Sequence, residues 1–216
     1  VAVDKMGNIY AGTNAAIYSF TSSGNERWNG KNIAFKITER GAFALHGDCL
    51  YATTLDKGLI SVNMTTGEKN WDYKNTGGNA YFPIVDKNGV IYFTEKGVSG
   101  KALVYAVEPT GYLKWSKDIA SVLTYNGAAL SAEGLLFLGN SGGKKVWKLD
   151  TNDNGELTEV RNIGQNIMAG VTIGTDKRLY FGTIGSNNIG SIKAVAINAS
   201  PELSSWSMRG GGPPPH

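Results

Sequence analysis

A repeat of roughly forty residues runs through the whole chain and constrains its fold more than any other feature. One marker of the repeat is an aromatic residue in a strand-like run, with separations of 41, 41, 45 and 43 residues between Tyr10, Tyr51, Tyr92, Phe137 and Tyr180. A second marker is a tryptophan that follows a turn, at Trp28, Trp71, Trp115 and Trp206, with Val160 at the fourth position. Two markers that keep one period of this length predict a β-propeller of four-stranded blades.

The repeat divides the chain into modules of about 1–33, 34–78, 79–121, 122–165 and 166–206, followed by a C-terminal tail, 207–216. The third module shows the plan most clearly, with strands predicted at 81–85, 90–93, 103–107 and 112–115. Turn residues separate these strands at Asp86–Gly89 and Glu108–Gly111. No window keeps helical periodicity. We therefore predict an all-β propeller of about five antiparallel blades that close into a ring.

The tryptophans of the second marker are predicted to hold neighbouring blades together. Each lies beside a tight turn at the start of an outermost strand, where a large flat ring can wedge against the next blade while its indole N–H donates to a backbone carbonyl. This structural docking role is assigned to Trp28, Trp71, Trp115 and Trp206.

Composition excludes several classes of protein. The 216 residues are 41% hydrophobic and carry a net charge of only +3, with lysines and arginines scattered singly, so nucleic acid is not expected as a partner. No apolar run is long enough for a transmembrane helix. The single cysteine, Cys49, permits no internal disulfide and is interpreted as a small buried hydrophobe. The start at Val1, without a leader, is typical of a mature or excised segment. Composition leaves the compartment and the oligomeric state open.

Two segments carry the resemblance to a known family. Ser61–Trp71 and, one residue shorter, Ala106–Trp115 follow the pattern Ala-x-Asp-x-x-Thr-Gly-x-x-x-Trp, and Gly7–Tyr10 and Gly89–Tyr92 follow Gly-x-Ile-Tyr. In these residues the chain resembles the PQQ-like (quinoprotein alcohol dehydrogenase-like) β-propeller repeat, over essentially residues 1–206. The resemblance is specific for the fold and far less so for function.

The resemblance implies a place outside the cytoplasm: periplasmic, secreted or at the cell surface. The family includes quinone-dependent dehydrogenases, outer-membrane assembly lipoproteins and surface proteins. The dehydrogenases bind PQQ with calcium, and many have a pair of adjacent cysteines, which one cysteine cannot supply. No positions match their quinone or calcium ligands. We therefore expect a non-catalytic binding or scaffold domain without a cofactor. The alternative is a fragment of a PQQ-dependent dehydrogenase that binds PQQ and calcium.

Ligands of propellers usually lie over the axial opening, where the loops that lead into the innermost strands converge. These loops are predicted at 75–82, 118–126 and 162–168. Their amide and phenol groups suit neutral hydrogen-bonding ligands, such as a glycan or an extended segment of a protein. The candidate ligand-binding residues are Asn79, Tyr81, Tyr125, Asn126, Gln165 and Asn166.

One loop has the alternating oxygen side chains of a calcium loop, at Asp150, Asn152 and Asn154. Position twelve of such a loop would be Arg161 rather than a bidentate glutamate, so an enlarged hairpin turn is favoured. A calcium-dependent carbohydrate-binding module is the third hypothesis for function. The recurring pairs that begin at Asp4, Asp86 and Asp176 are interpreted as turn residues, and no motif gives His46 a catalytic partner.

Overall fold

A computed structural model describes residues 1–28, 42–54, 58–74, 79–96, 102–119, 127–140, 144–185 and 187–202. The described strands form antiparallel sheets in chain order. The first sheet contains β1 (Ala2–Val3), β2 (Ile9–Gly12) and β3 (Ile17–Phe20); the second contains β4 (Phe43–His46), β5 (Cys49–Thr54), β6 (Gly58–Asn63) and β7 (Lys69–Tyr73). The third contains β8 (Asn79–Val85), β9 (Ile91–Lys96), β10 (Ala102–Val107) and β11 (Leu113–Asp118); the fourth contains β12 (Ala129–Leu130), β13 (Leu135–Asn140), β14 (Lys145–Asp150) and β15 (Glu156–Asn162). The fifth contains β16 (Asn166–Ile167), β17 (Thr172–Ile173), β18 (Arg178–Ile184) and β19 (Gly190–Ala196).

Three of the sheets have the predicted four strands, whereas the first and the fifth depart from this plan within the described residues. In the second, third and fourth sheets the strands pair in sequence order, as in a meander. In the fifth sheet the innermost strand is split into β16 and β17, and both pieces pair with β18. Among the described residues the first sheet has three strands, and Phe20 forms an isolated bridge with Glu26. The all-β architecture is confirmed.

The hairpin between the first two strands of a sheet is built by a single aspartate. Asp4 Oδ1 accepts hydrogen bonds from the backbone N–H groups of Met6 and Asn8, at 2.9 Å each. Its Oδ2 accepts from the hydroxyl of Tyr10 at 3.0 Å. In the third sheet Asp86 makes the same contacts, with the hydroxyl of Tyr92 at 3.0 Å. Each of the two aspartates therefore stabilises its turn through backbone N–H groups and also binds the hydroxyl of the first-marker tyrosine. Aspartate commonly forms such Asx turns.

Asp176 does not occupy the equivalent place, which corrects the sequence interpretation. The fifth turn runs from Gly174 to Lys177, so Asp176 is its third residue, whereas Asp4 is the first residue of its turn. Lys177 takes the left-handed conformation (φ 59°) that Gly7 and Gly89 take in the other turns. The hydroxyl of Tyr180 nevertheless donates to Asp176 Oδ2 at 2.6 Å. Tyr180 is four positions after Asp176, whereas Tyr10 is six positions after Asp4.

The tryptophans of the second marker dock on glycines of the next sheet. A Cβ atom built on Gly67 would lie 2.6 Å from the ring of Trp28, and one built on Gly111 would lie 2.8 Å from the ring of Trp71. Both glycines have positive φ, 74° and 90°. Glycine is needed there twice over, for the backbone conformation and for the close approach of the ring. The indole N–H of Trp28 donates to Met64 O at 3.1 Å, as predicted.

The third docking differs in its polar contact. The indole N–H of Trp71 donates to Pro109 O at 2.9 Å, whereas the buried indole N–H of Trp115 has no hydrogen-bond partner among the described residues. The ring of Trp115 nonetheless rests on Gly155, 2.7 Å from a Cβ built there. Gly155 belongs to the enlarged turn between β14 and β15. The prediction of an indole hydrogen bond is therefore wrong for Trp115.

The core lies between successive sheets. One cluster of buried apolar residues joins the first three sheets, a second joins the third to the fourth, and a third joins the fourth to the fifth. Each tryptophan packs beside the first marker of its own sheet; the ring centroids of Tyr51 and Trp71, for example, are 5.8 Å apart. Among the described residues no such cluster joins the fifth sheet to the first, so the predicted closed ring is not confirmed. Trp206 and the tail lie outside the described residues.

Candidate functional site at the axial end of the sheets

The innermost strands of all sheets begin at one end, which we call the axial end. Asn79 is the first residue of β8, and Asn166 is the first residue of β16. Both side chains are exposed. The sequence places these residues in loops, but the backbone of each already belongs to a sheet: Asn79 is paired with Lys96 and Asn166 with Ile184. Their positions are therefore fixed by strand pairing, and their amides remain accessible.

Tyr81 lies deeper than the sequence indicates. It is paired with Thr94, and only 6% of its surface is exposed, so its ring packs within the third sheet. The next residue, Phe82, has φ of 45° and lies in a bulge where the pairing of β8 with β9 shifts register. A positive φ at a bulky residue stores backbone strain of about 1–3 kcal/mol, and such strain concentrates at functional positions. The bulge interrupts the pairing of β8 with β9, which continues on both sides of it.

Gln165 belongs to a small hydrogen-bonded group on the fifth sheet. Its Oε1 accepts a hydrogen bond from Thr183 Oγ1 at 3.0 Å, and the hydroxyls of Thr183 and Ser191 lie 2.9 Å apart. Thr183 is buried and Gln165 is half-buried, so the group is held in place with one amide directed to the surface. The remaining candidates, Tyr125 and Asn126, lie outside the described residues.

The most deeply buried acid of the axial end was not predicted. Glu95, near the end of β9, is fully buried, and the hydroxyl of Tyr105 donates to its Oε2 at 2.6 Å. The ring of Tyr105 stacks on Phe93 with centroids 4.9 Å apart, and the ring of Tyr73 from the second sheet packs edge-on at 5.9 Å. Burial raises the pKa of Tyr73, and the charge of Glu95 raises it further. Glu95 therefore lies in an aromatic cage between two sheets.

A signal for this position is present in the sequence. The residue three places after the first marker is polar in every module: Thr13, Thr54, Glu95, Asn140 and Thr183. In the structure these positions lie where the second strand of each sheet ends, which is at the axial end. Thr54, Glu95 and Thr183 are buried there. Thr13 is exposed, so among the described side chains Thr54, Glu95 and Thr183 form the polar layer under the axial end.

The polar layer consists of groups that donate or accept hydrogen bonds. In the described ranges no three side chains of His, Cys, Asp or Glu lie close enough to share a metal ion. The hydroxyl of Thr53 is buried between the sheets without a partner in the structure. Carboxylate, amide and hydroxyl groups in this arrangement can form hydrogen bonds, as the hydroxyl of Tyr105 does with Glu95.

The loop with the calcium-like pattern is a hairpin turn between β14 and β15. Asp150 Oδ1 accepts from the backbone N–H of Asn152 at 2.9 Å, and the side-chain amide of Asn152 donates to Glu133 O at 3.0 Å. Asn154 has φ of 47°, which asparagine tolerates better than most residues. The three candidate ligands are thus used to shape the turn that receives Trp115.

Sheets that succeed one another in chain order, the first three each docked on the next by a tryptophan over a glycine turn, define a repeat protein of the β-propeller class. The PQQ_2 family model, described as outer membrane protein assembly factor BamB, matches residues 13–164. The chain therefore belongs to this family of PQQ-like repeat proteins.

Solved structures share the fold at low sequence identity. The virginiamycin B lyase from Staphylococcus aureus superposes with a TM-score of 0.65 at 16% identity, over 94% of this chain and 70% of that chain. BamB from Moraxella catarrhalis superposes with a TM-score of 0.61 at 16% identity, over 89% of this chain and 55% of that chain. A Bacteroides caccae protein of unknown function gives 0.55 at 9% identity, over 88% and 73%.

No curated protein sequence matches the chain. Within the described ranges the structure contains no helix with the length and apolar character needed to span a membrane.

Proposed function

We propose that the chain is a non-catalytic binding or scaffold domain that recognises another protein through the axial end of its sheets. The observation that carries this proposal is the family match over residues 13–164, because the family model describes an assembly factor, a role that depends on protein contacts. The role needs no cofactor. A place outside the cytoplasm is proposed with it, since the same family description refers to the outer membrane.

The geometry of the axial end supports a polypeptide as the ligand. Asn79 and Asn166 present exposed amides from two different sheets, and Gln165 is held by Thr183 on one of them. Amides that each offer both a donor and an acceptor match the backbone of an extended peptide, which carries the same groups in alternation. A glycan would use the same amides and is the alternative ligand for this surface.

Site-specific photocrosslinking in cells of the source organism tests the proposal. A benzophenone amino acid replaces Asn79 or Asn166, and a matched control replaces Glu68, which is exposed in a turn at the opposite end of the second sheet. We expect discrete protein adducts at positions 79 and 166 and none at 68. A glycan ligand would give adducts without a protein partner. Equal labelling at all three positions, or none at any, would contradict recognition through the axial end.

A further inference from the structure

Basic side chains collect at the axial end of the sheets. Along the sequence the lysines and arginines are scattered singly, but the strands bring several of them to this end. Lys74 follows β7, Lys96 ends β9 and Lys144 precedes β14. In the described ranges, the strand residues nearest this end and those adjoining them include six basic residues, Lys74, Lys96, Lys117, Lys144, Lys145 and Arg161, and three acidic residues, Asp72, Glu95 and Asp118.

The opposite end of the sheets carries the opposite charge. Its turns and strand ends contain twelve acidic and seven basic residues, in the ranges 4–8, 21–27, 46–49, 63–69, 86–90, 108–114, 131–135, 150–156, 174–178 and 198–202. The described residues therefore separate charge along the sheets, with a basic axial end and an acidic opposite end.

The residues outside the described ranges do not reverse this polarity. By sequence they include six basic residues and two acidic ones. Because their net charge is positive, they add to the basic charge of the molecule rather than neutralising it. The basic excess of the axial end is thus a property of the described strands and depends on no contact of these other residues.

One lysine of the axial end lies beside a residue of the proposed binding surface. Lys96 is directly opposite Asn79 in the pairing of β9 with β8, and both side chains are exposed. Directly opposite residues of antiparallel strands project from the same face of the sheet, with Cβ atoms about 5 Å apart. A single ligand can therefore contact the amide of Asn79 and the ammonium group of Lys96 together.

The two ends also differ in how their charges are paired. At the opposite end Lys114 forms an ion pair with Glu108 at 2.9 Å, and Arg178 lies 3.7 Å from Asp176. Among the described residues, no ion pair neutralises Lys74, Lys96, Lys117 or Arg161 at the axial end. Basic groups without an ion pair attract an anionic partner over about 8 Å at physiological ionic strength.

We propose that the axial end binds an extended segment of its protein partner that is rich in aspartate and glutamate. The inference rests on the function proposed above and adds the chemistry of the partner. A basic excess of a few charges suits a segment with a few carboxylates, whereas a nucleic acid presents a continuous row of phosphates that calls for more basic contacts. The acidic opposite end repels the same segment, so the charge separation also selects the end at which it docks.

Photocrosslinking in cells of the source organism, with the benzophenone amino acid at position 166 of the full polypeptide, tests this chemistry. The axial variant combines Lys74→Glu with Lys96→Glu, on the second and third sheets, away from the reporter on the fifth. The control combines Lys5→Glu with Lys87→Glu and makes the same change of net charge in exposed turns of the opposite end. We expect the yield of the protein adduct to fall at least about fivefold in the axial variant and less than about twofold in the control.

The outcomes separate this inference from the function on which it rests. Adducts in the parent, with equal yields in the two variants, would overturn the acidic partner and leave protein recognition standing. No adduct in the parent would overturn both. Mass spectrometry of the adduct supplies a second readout: we expect the crosslinked segment to carry a net negative charge, and a neutral or basic segment would overturn the inference.

A neutral pair keeps the test decisive if the charge-reversed variant does not fold. Lys74→Gln with Lys96→Gln removes the two charges without adding others and should lower the adduct yield at least about twofold relative to Lys5→Gln with Lys87→Gln. Equal yields for these two pairs would overturn the inference.

An anionic membrane surface is the other partner that a basic end could attract. The purified polypeptide is mixed with phosphatidylcholine vesicles that contain about 30% phosphatidylglycerol, at physiological ionic strength. We expect no cosedimentation, because the excess charge is small and no lipid anchors it. Cosedimentation that the axial variant loses and the control keeps would assign the axial end to a membrane surface and overturn the inference.

Discussion

Two tyrosine–carboxylate pairs show how burial determines the contribution of a hydrogen bond to the stability of the protein. The hydroxyl of Tyr105 lies 2.6 Å from Glu95, and the hydroxyl of Tyr180 lies 2.6 Å from Asp176. Glu95 is fully buried, whereas Asp176 lies in an exposed turn. Water can replace a lost partner in the turn but cannot reach the carboxylate between the sheets. The two pairs should therefore differ in energy despite equal distances.

Tyr105→Phe should lower the free energy of unfolding by about 1.5–3 kcal/mol, because a buried carboxylate loses a charged hydrogen bond. Tyr180→Phe is the matched control and should leave stability nearly unchanged. Chemical denaturation of the two variants and the parent at pH 7 measures the difference. Equal losses in the two variants would mean that Glu95 is hydrated, contrary to its position in the structure.

The sequence predicts the docking tryptophans because a large ring at a fixed period has few other roles, and two of the three described docking tryptophans make the predicted hydrogen bond. It does not predict the aromatic cage of Glu95. Tyr73, Phe93 and Tyr105 come from three strands of two sheets, and only the packing of one sheet on the other brings them together. The burial of Tyr81 has the same origin, since it depends on a bulge at Phe82 that no pattern announces.

At the scale of the element, the first hairpin depends on an ionised aspartate. Burial would raise the pKa of Asp4, but hydrogen bonds from Asn8, Tyr10 and Met6 outweigh it and lower the pKa below its usual value. A carboxyl group whose pKa is lower in the folded protein stabilises the fold above its unfolded pKa, near 4, and this stabilisation is lost as the pH falls through the folded pKa.

Asp4→Asn should therefore destabilise the protein at pH 7 and flatten the loss of stability below about pH 5. Urea denaturation of parent and variant between pH 7 and pH 2 measures both effects. Lys5→Gln, which changes a charge in the same turn without touching these hydrogen bonds, is the control and should keep the slope of the parent. If the parent and Asp4→Asn lose stability in parallel as the pH falls, the carboxylate of Asp4 does not fix the turn.

The docking contacts of Trp71 and Trp115 differ in the hydrogen bonding of the indole N–H, and this difference can be tested directly. Benzothienylalanine has the shape of tryptophan without its N–H group. At position 71 it removes the hydrogen bond to Pro109 O and should cost about 1 kcal/mol. At position 115 the indole N–H is buried without a partner, so the same replacement should leave stability unchanged or raise it. Thermal unfolding of the two variants decides; a larger loss at position 115 would show that Trp115 has a partner.

Strand and turn positions are largely predictable from sequence, because alternating apolar runs and turn residues specify them locally. The exceptions are informative. Lys177 takes a left-handed conformation where the other turns use glycine. The sequence therefore locates the turn of the fifth module but does not show at which residue the turn begins. Asn79 and Asn166 were assigned to loops because polar residues at strand ends carry no signal that separates them from a loop.

At the scale of the molecule, the period gives the number of modules but not the closure of the ring. Closure depends on the angle between neighbouring sheets, which is set by packing along each whole interface rather than by a local pattern. Among the described residues the structure shows three clusters of buried apolar residues that join consecutive sheets. Blade count is therefore the property that sequence periodicity leaves undetermined.

The central claim is that tryptophans of one sheet lie on glycines of the next, and proton NMR tests it most directly. The ring of an indole at this distance shifts the α-protons of the glycine beneath it strongly upfield. We predict such shifts at Gly67, Gly111 and Gly155, each with nuclear Overhauser contacts to the ring of its tryptophan, and none at Gly47. Glycine signals at positions 67, 111 and 155 that resemble that of Gly47 would contradict the docking of the sheets and, with it, the fold described here.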